Sequence, residues 1–297
     1  PFIWGLFVLA PPNAYLALRN HTDYEGSYLE FYPRFIEISP QGLLDFSGRF
    51  TIAHLWFILF LFIISLVALL PIFFLRRDSG RRLIGGLASF CGLPGMIFLL
   101  AIPPLVTEWL MLRVPSLFLV LGLTFYFIFF LYGYVQMADG RFDEAIDKHK
   151  AIALILGPVL YVILGLVQTY AVMPDWLQFV YYHGLFPWFT IIAVLGYGKR
   201  FLTFGNGRSL SDKFLIYFGE ASYPFYLLHQ TVLVAIGFYV VQWGASVLVK
   251  YMVIATATLV TTTLLYEVLV RRINVIRFLF GMRTKMPRAP AALETES

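Results

Sequence analysis

Residues 54–75 read HLWFILFLFIISLVALLPIFFL, twenty-two positions without an Asp, Glu, Lys or Arg. Wound as a helix at 1.5 Å per residue, the stretch is about 33 Å long, close to the thickness of a bilayer's hydrocarbon core. A soluble helix of that length would carry a polar stripe, and this one has none. Directly after it comes RRDSGRR at 76–82. An apolar crossing ended by four arginines is the pattern of a transmembrane helix whose basic end stays in the cytoplasm.

Working outward, seven more runs of similar character lie at roughly 2–18, 83–105, 115–137, 151–173, 179–198, 214–243 and 248–270. The first is short and holds Pro11 and Pro12. The runs are continuous rather than alternating, so they predict helices and not barrel strands. The expected fold class is all-α, a polytopic transmembrane helix bundle of about eight spans. Of 297 residues, 60% are hydrophobic and 13% charged, which excludes a water-soluble globule. Cys91, the single cysteine, lies inside a run and has no partner for an intrachain disulfide.

Charge gives the orientation. Arg76, Arg77, Arg81 and Arg82, then Arg141, Lys148 and Lys150, then Lys199, Arg200, Arg208 and Lys213, and finally six basic residues from Arg271 to Arg288 occupy alternate gaps. They make up 17 of the 22 Lys and Arg. The net charge of +5 therefore reflects orientation in the lipid bilayer, and no nucleic-acid partner is expected. Both ends, Pro1 and Ser297, fall on the cytoplasmic side of a multi-pass inner-membrane protein. Because Pro1 is not an initiator Met and a run begins at once, the sequence reads as N-terminally incomplete or processed. Residues 1–286 form the membrane domain, and 287–297 (PRAPAALETES) read as a disordered cytoplasmic tail.

The longest gap, 19–53, faces outside and mixes acids with Tyr24, Tyr28, Phe31, Tyr32 and Phe35. Such rings anchor a loop at the headgroups; a second reading is a platform that stacks on sugars.

Polar groups inside a bilayer are costly and mark candidate sites. His229 sits in SYPFYLLHQ (222–230), sharing a helix face with Ser222 and Tyr226, while Gln230 lies on the adjoining stripe. Histidine suits proton transfer near neutral pH. His54 opens its run beside Trp56, where an interfacial anchor is the plainer reading. Counted by depth, His54 belongs at the outer end and His229 nearer the cytoplasmic half, so the two are expected to face opposite ends of a cavity. His21, His149 and His183 fall in loops or at run edges and read as solvated or interfacial, and Glu267 is left open. No His, Glu or Asp cluster has metal-ligand spacing, no phosphate loop follows a strand, and no G-x-S-x-G elbow occurs.

Three strings, GRFTIAHLWFILFLF (48–62), FGEASYPFYLLHQTVL (218–233) and YEVLVRRINVIRFLFG (266–281), resemble the membrane acyltransferase 3 family. PFIWGLFVLAPPNAYLALR (1–19) and EFYPRF (30–35) resemble most its glucan-modifying branch, which includes proteins that succinylate periplasmic glucans. The resemblance implies about ten spans in a complete member. It also implies an acyl-CoA donor as substrate with no bound cofactor, and an acetyl or succinyl group moved to a carbohydrate or glucan hydroxyl outside. His54 and His229 match histidines of the family's HLWFL and YLLHQ segments, which makes both catalytic candidates. His229, with Tyr226 and Gln230, would then serve the thioester end, and His54 and Arg49 the acceptor end, with Trp56 a further substrate-binding candidate. The family's Arg-then-His signature on its first span has no counterpart here and would lie before Pro1. The competing class is a transporter of a polar or carbohydrate substrate, with Pro94, Pro103, Pro104, Pro158 and Pro224 breaking helices around a site. A third is a non-catalytic scaffold.

Overall fold

The computed structural model describes residues 2–22, 24–37, 50–170, 174–202 and 210–284. Among them every regular element is helical, and seven helices are long and apolar enough to cross a membrane. The fold is a polytopic helical bundle. The chain divides into two compact units, residues 1–59 with 213–297, and residues 60–212.

The first unit opens with α1 (Phe2–Val8) and α2 (Ala10–His21) where one span was expected over 2–18. The break follows from Pro11 and Pro12, which have no N–H to offer the carbonyls four residues back. The carbonyl that Pro11 leaves free, that of Phe7, accepts a bond from the Tyr32 hydroxyl at 2.9 Å. Tyr32 lies on α3 (Tyr28–Ile36), whose start is set by a reciprocal cap: Ser27 N–H to Glu30 Oε2 at 2.9 Å and Glu30 N–H to Ser27 Oγ at 3.3 Å. Phe31 and Phe35, one turn apart, are buried against Ala10 and Ala14. The rings of 24–35 are thus largely packed inward, with Tyr15 edge-on to Tyr28 at 5.5 Å. Phe31 and Phe35 are core residues, neither headgroup anchors nor a sugar platform.

A short 3-10 turn, Ala53–Leu55, leads into α4 (Trp56–Leu75), whose first four residues belong to this unit. Leu55 is fully buried against Leu227 and Tyr266, and a Cβ on Gly5 would stand 3.2 Å from a Leu55 methyl. Glycine is what lets α1 approach this closely.

In the second unit, α5 (Asp78–Cys91) is amphipathic and turns Gly80, Ile84, Ala88 and Cys91 inward. It stops at Gly92-Leu93-Pro94-Gly95, where Gly95 takes φ +78°. The crossing expected over 83–105 is therefore displaced: the membrane-length helix is Met96–Arg113, a 3-10 entry followed by α6 (Ile102–Arg113). Leucine and isoleucine continue across the break, so hydropathy alone does not show it; the two glycines flanking Leu93-Pro94 do. α7 (Phe118–Ala138), α8 (Arg141–Tyr170), α9 (Asp175–Phe179) and, after a π-turn at Val180–Leu185, α10 (Phe186–Phe201) complete the unit.

α8 and α10 pack closely through glycines. A Cβ on Gly196 would stand 2.6 Å from Lys150 Cβ, and one on Gly157 would stand 3.2 Å from Phe189 Cβ. His149, expected to be solvated or interfacial, is buried in this packing. Its Nδ1–H donates to Ala145 O at 2.8 Å, and its Nε2 accepts the Gly95 N–H at 3.0 Å. It thus satisfies a backbone donor where α5 ends.

The chain returns to the first unit early in α11 (Leu210–Val240), followed by α12 (Val247–Leu265), a second π-turn at Tyr266–Val270 and α13 (Asn274–Leu279). Arg277 on α13 is 5% exposed and donates to Glu220 Oε1 at 2.9 Å and to Arg283 O at 2.9 Å. Pro224 leaves Glu220's carbonyl without its helical donor, while the Glu220 side chain holds α13. Glu267 pairs with Arg271 through both carboxylate oxygens, at 3.1 and 3.0 Å. Side chains such as Leu70 (77% exposed) and Val247 (86%) are left uncovered along the long helices, as lipid-facing positions require.

Candidate active site

The site grows from the turn before α4. Ala53 takes φ +44°, a left-handed conformation that costs a non-glycine residue about 1 kcal/mol or more. Its N–H is held by the buried Thr51 Oγ1 at 3.1 Å. The turn presents His54 to α11, which grips it twice. His54 Nε2 meets Leu227 O at 3.1 Å, and the Tyr226 hydroxyl donates to the His54 carbonyl.

Histidine tautomers follow from these partners, because a ring nitrogen facing a carbonyl must carry the hydrogen. His54 is therefore Nε2–H, leaving the lone pair on Nδ1. His229 Nδ1 faces Tyr226 O at 2.8 Å and Phe225 O at 3.1 Å, so its lone pair is on Nε2. The two rings stand 5.9 Å apart between centroids at 77°, with the Tyr226 ring 5.7 Å from His54 and 5.9 Å from His229.

This overturns the expectation that the histidines face opposite ends of a cavity. α11 is 31 residues long, about 46 Å at 1.5 Å per residue, and exceeds the hydrocarbon core. His229 is eleven residues before Val240, nearer that end of α11 than its start. Depth counted from an assumed start at residue 214 placed it too far toward the other end.

His54, Trp56 and Gln230 line one pocket of about 350 Å³ together with Asn13. Tyr226 is committed to the His54 carbonyl, which makes it a positioning residue. Arg49 lies outside the described residues, as does the 287–297 tail. Asn13 was not expected. It is 4% exposed, and its Nδ2 donates to Leu9 O at 3.3 Å, a carbonyl that Thr231 Oγ1 also reaches at 2.9 Å. Asn13 Oδ1 and His54 Nδ1 are both buried without a hydrogen-bond partner among the described residues. Two orphaned acceptors beside one pocket call for a ligand that brings donors. A signal for Asn13 existed: it is a lone amide in an apolar run directly after two prolines. Among the described residues no group of three or more His, Cys, Asp or Glu is placed to hold a metal ion.

A family profile described as an acyltransferase domain, Acyl_transf_3, matches residues 1–267. The chain belongs to the membrane acyltransferase 3 family. No curated protein and no solved structure matches it. As a membrane acyltransferase it needs a group that takes a proton from its acceptor and donors that meet the developing oxyanion. The two histidines with assigned lone pairs are suited to the first of these tasks.

Proposed function

We propose that this membrane acyltransferase moves an acetyl or succinyl group from acyl-CoA to a carbohydrate hydroxyl, a glucan being the acceptor that the 1–19 and 30–35 segments suggest. The reading rests chiefly on one observation, the lone pair of His54 Nδ1, buried and unpartnered beside Asn13 Oδ1. An acceptor hydroxyl can donate its one O–H to His54 Nδ1, and a second hydroxyl of a carbohydrate can donate to Asn13 Oδ1 in the same pocket. His54 Nδ1 takes the hydroxyl proton as the oxygen attacks the thioester carbonyl. The tetrahedral intermediate then collapses, the C–S bond breaks, and CoA leaves as a thiol after receiving the proton. His229, with its lone pair on Nε2, is the second group able to carry that proton. Gln230 and Trp56 line the pocket as acceptor contacts, and Arg49 is assigned to the same end.

The basic gaps after α4, α7, α10 and α12 support a cytoplasmic placement of those helix ends in the inner membrane. The His54 end of α4 is then extracytoplasmic, where a periplasmic acceptor arrives.

The test is transfer of radiolabelled acyl groups from acetyl-CoA and succinyl-CoA to glucan in membranes carrying the wild type or His54→Gln. Loss of about 10² to 10⁴ in rate is expected for removal of a general base. Wild-type turnover by His54→Gln with either donor would sink the assignment.

A further inference from the structure

The second unit holds a pocket that the acyl-transfer reading does not use. Glu108 on α6 and His183 in the Val180–Leu185 π-turn meet there, His183 Nδ1–H donating to Glu108 Oε1 at 2.7 Å. Both lie within membrane-length helices, where an ionisable pair is a functional candidate by default. The π-turn widens the helix by one residue and redirects the side chains within it, a feature often found at binding sites. Phe179 stacks on the His183 ring at 4.8 Å and holds it toward Glu108.

The pocket has a volume of about 250 Å³. Besides Glu108 and His183, its lining includes four aromatic rings, Phe125, Phe129, Tyr182 and Trp188, and neither Lys nor Arg. Trp188 has its own N–H satisfied by Ile97 O at 2.9 Å, so its ring serves as wall and not as a hydrogen-bond donor. Aromatic faces carry negative potential and attract cations, and the pocket stays open to solvent at the half-exposed His183. The Glu108 carboxylate meets an imidazole N–H, and no guanidinium or ammonium lines the pocket to compete for it.

We infer that the Glu108–His183 pocket binds an organic ammonium group, quaternary or primary, caged by Phe125, Phe129, Tyr182 and Trp188. The group comes either from a soluble amine or from the headgroup of a zwitterionic lipid. The inference is independent of His54 and His229 and stands whether or not acyl transfer is correct.

The experiment is binding of radiolabelled choline to the full chain in nanodiscs made of phosphatidylglycerol, which carries no ammonium. Saturable binding is expected. Tetramethylammonium should displace the choline, and 3,3-dimethylbutan-1-ol, the uncharged isostere, should do so at least about tenfold less well, equal to about 1.4 kcal/mol. Glu108→Gln should weaken choline by a similar factor, and Phe129→Leu should weaken it with the melting temperature held. Repeating the titration in phosphatidylcholine discs separates the sources. A weaker apparent affinity there means lipid headgroups occupy the site, and an unchanged one means a soluble amine does. Absence of saturable binding in phosphatidylglycerol discs, or equal displacement by the neutral alcohol, would overturn the proposal. The neutral-alcohol arm uses the wild type, so a variant that fails to fold does not blunt the test.

Discussion

His54 and His229 come from segments 175 positions apart and stand with their rings 5.9 Å between centroids, nearly perpendicular. Each has one nitrogen tied to an α11 backbone carbonyl and the other left with a lone pair. Two bases this close compete for one proton, so their contributions to rate are coupled. The double variant His54→Gln/His229→Gln should fall little further than the worse single variant. Rate losses that multiply would show two independent roles.

Tyr226 tests whether the His54 turn must be held. Tyr226→Phe keeps the ring that packs on both histidines and removes only the hydroxyl bonded to the His54 carbonyl. A hydrogen bond of this kind contributes about 1 kcal/mol, so kcat should drop by roughly fivefold with KM little changed. A change confined to KM would make Tyr226 a substrate contact.

Asn13 separates stability from function. Asn13→Leu removes a buried oxygen that has no partner, at the cost of the 3.3 Å bond to Leu9 O, a carbonyl already served by Thr231. Replacing an orphaned polar group by an apolar one is neutral or stabilising, so the melting temperature should hold or rise. Activity should nevertheless fall by about tenfold, as the loss of one substrate hydrogen bond of about 1.4 kcal/mol gives. Lower stability with unchanged specific activity would make Asn13 structural.

How much of this was legible follows from what each signal measures. Hydropathy reports length and polarity, and it places five of the crossing helices within a few residues, but it starts the span expected at 151–173 ten residues late, because the charged first turns of Arg141–Tyr170 read as a loop. It does not report backbone hydrogen bonding, so the breaks at Leu9 and at 92–95 were passed over, although Pro11-Pro12 and Gly92-Leu93-Pro94-Gly95 mark them. Histidine identity pointed to His54 and His229, but their proximity depends on where along a 31-residue helix the neighbouring turn docks. His149 and His183 sit at run edges and read as solvated or interfacial; His183 is half exposed, whereas His149 is buried. Their partners, Gly95 N–H and Glu108, are 54 and 75 residues away, beyond any local pattern.

Asp139, in the link between α7 and α8, gives a pH signature. Hydrogen bonds from the Arg141 guanidinium, at 3.0 Å from Nε and 2.6 Å from Nη2, hold its carboxyl down at about 2, below the ordinary aspartate value of about 3.9. A depressed carboxylate contributes stability that is fully present above the unfolded value and is lost as pH falls through the folded one. The exposed position makes the contribution small. Between about pH 4 and 2 the wild type should lose slightly more stability than Asp139→Asn, read as the difference in their melting temperatures. Identical pH dependence would show that the pair does not form.

The tighter of the two glycine contacts between α8 and α10 is at Gly196. A Cβ there would lie 2.6 Å from Lys150 Cβ and 3.0 Å from its Cδ, and Lys150 is itself tied to Asp147. The nearest contact is the root of the side chain, which moves only with the backbone, so the helices must separate. Gly196→Val adds two further methyl groups and should destabilise by about 1–3 kcal/mol, the range seen for overpacking. Gly198, two residues on, has nothing within 4 Å of its Cβ position, and Gly198→Ala should be neutral or slightly stabilising through better helix propensity. Thermal unfolding of the two variants in one detergent makes the comparison, since both add bulk to the same helix. Equal melting temperatures would show that α8 and α10 do not pack closely at Gly196.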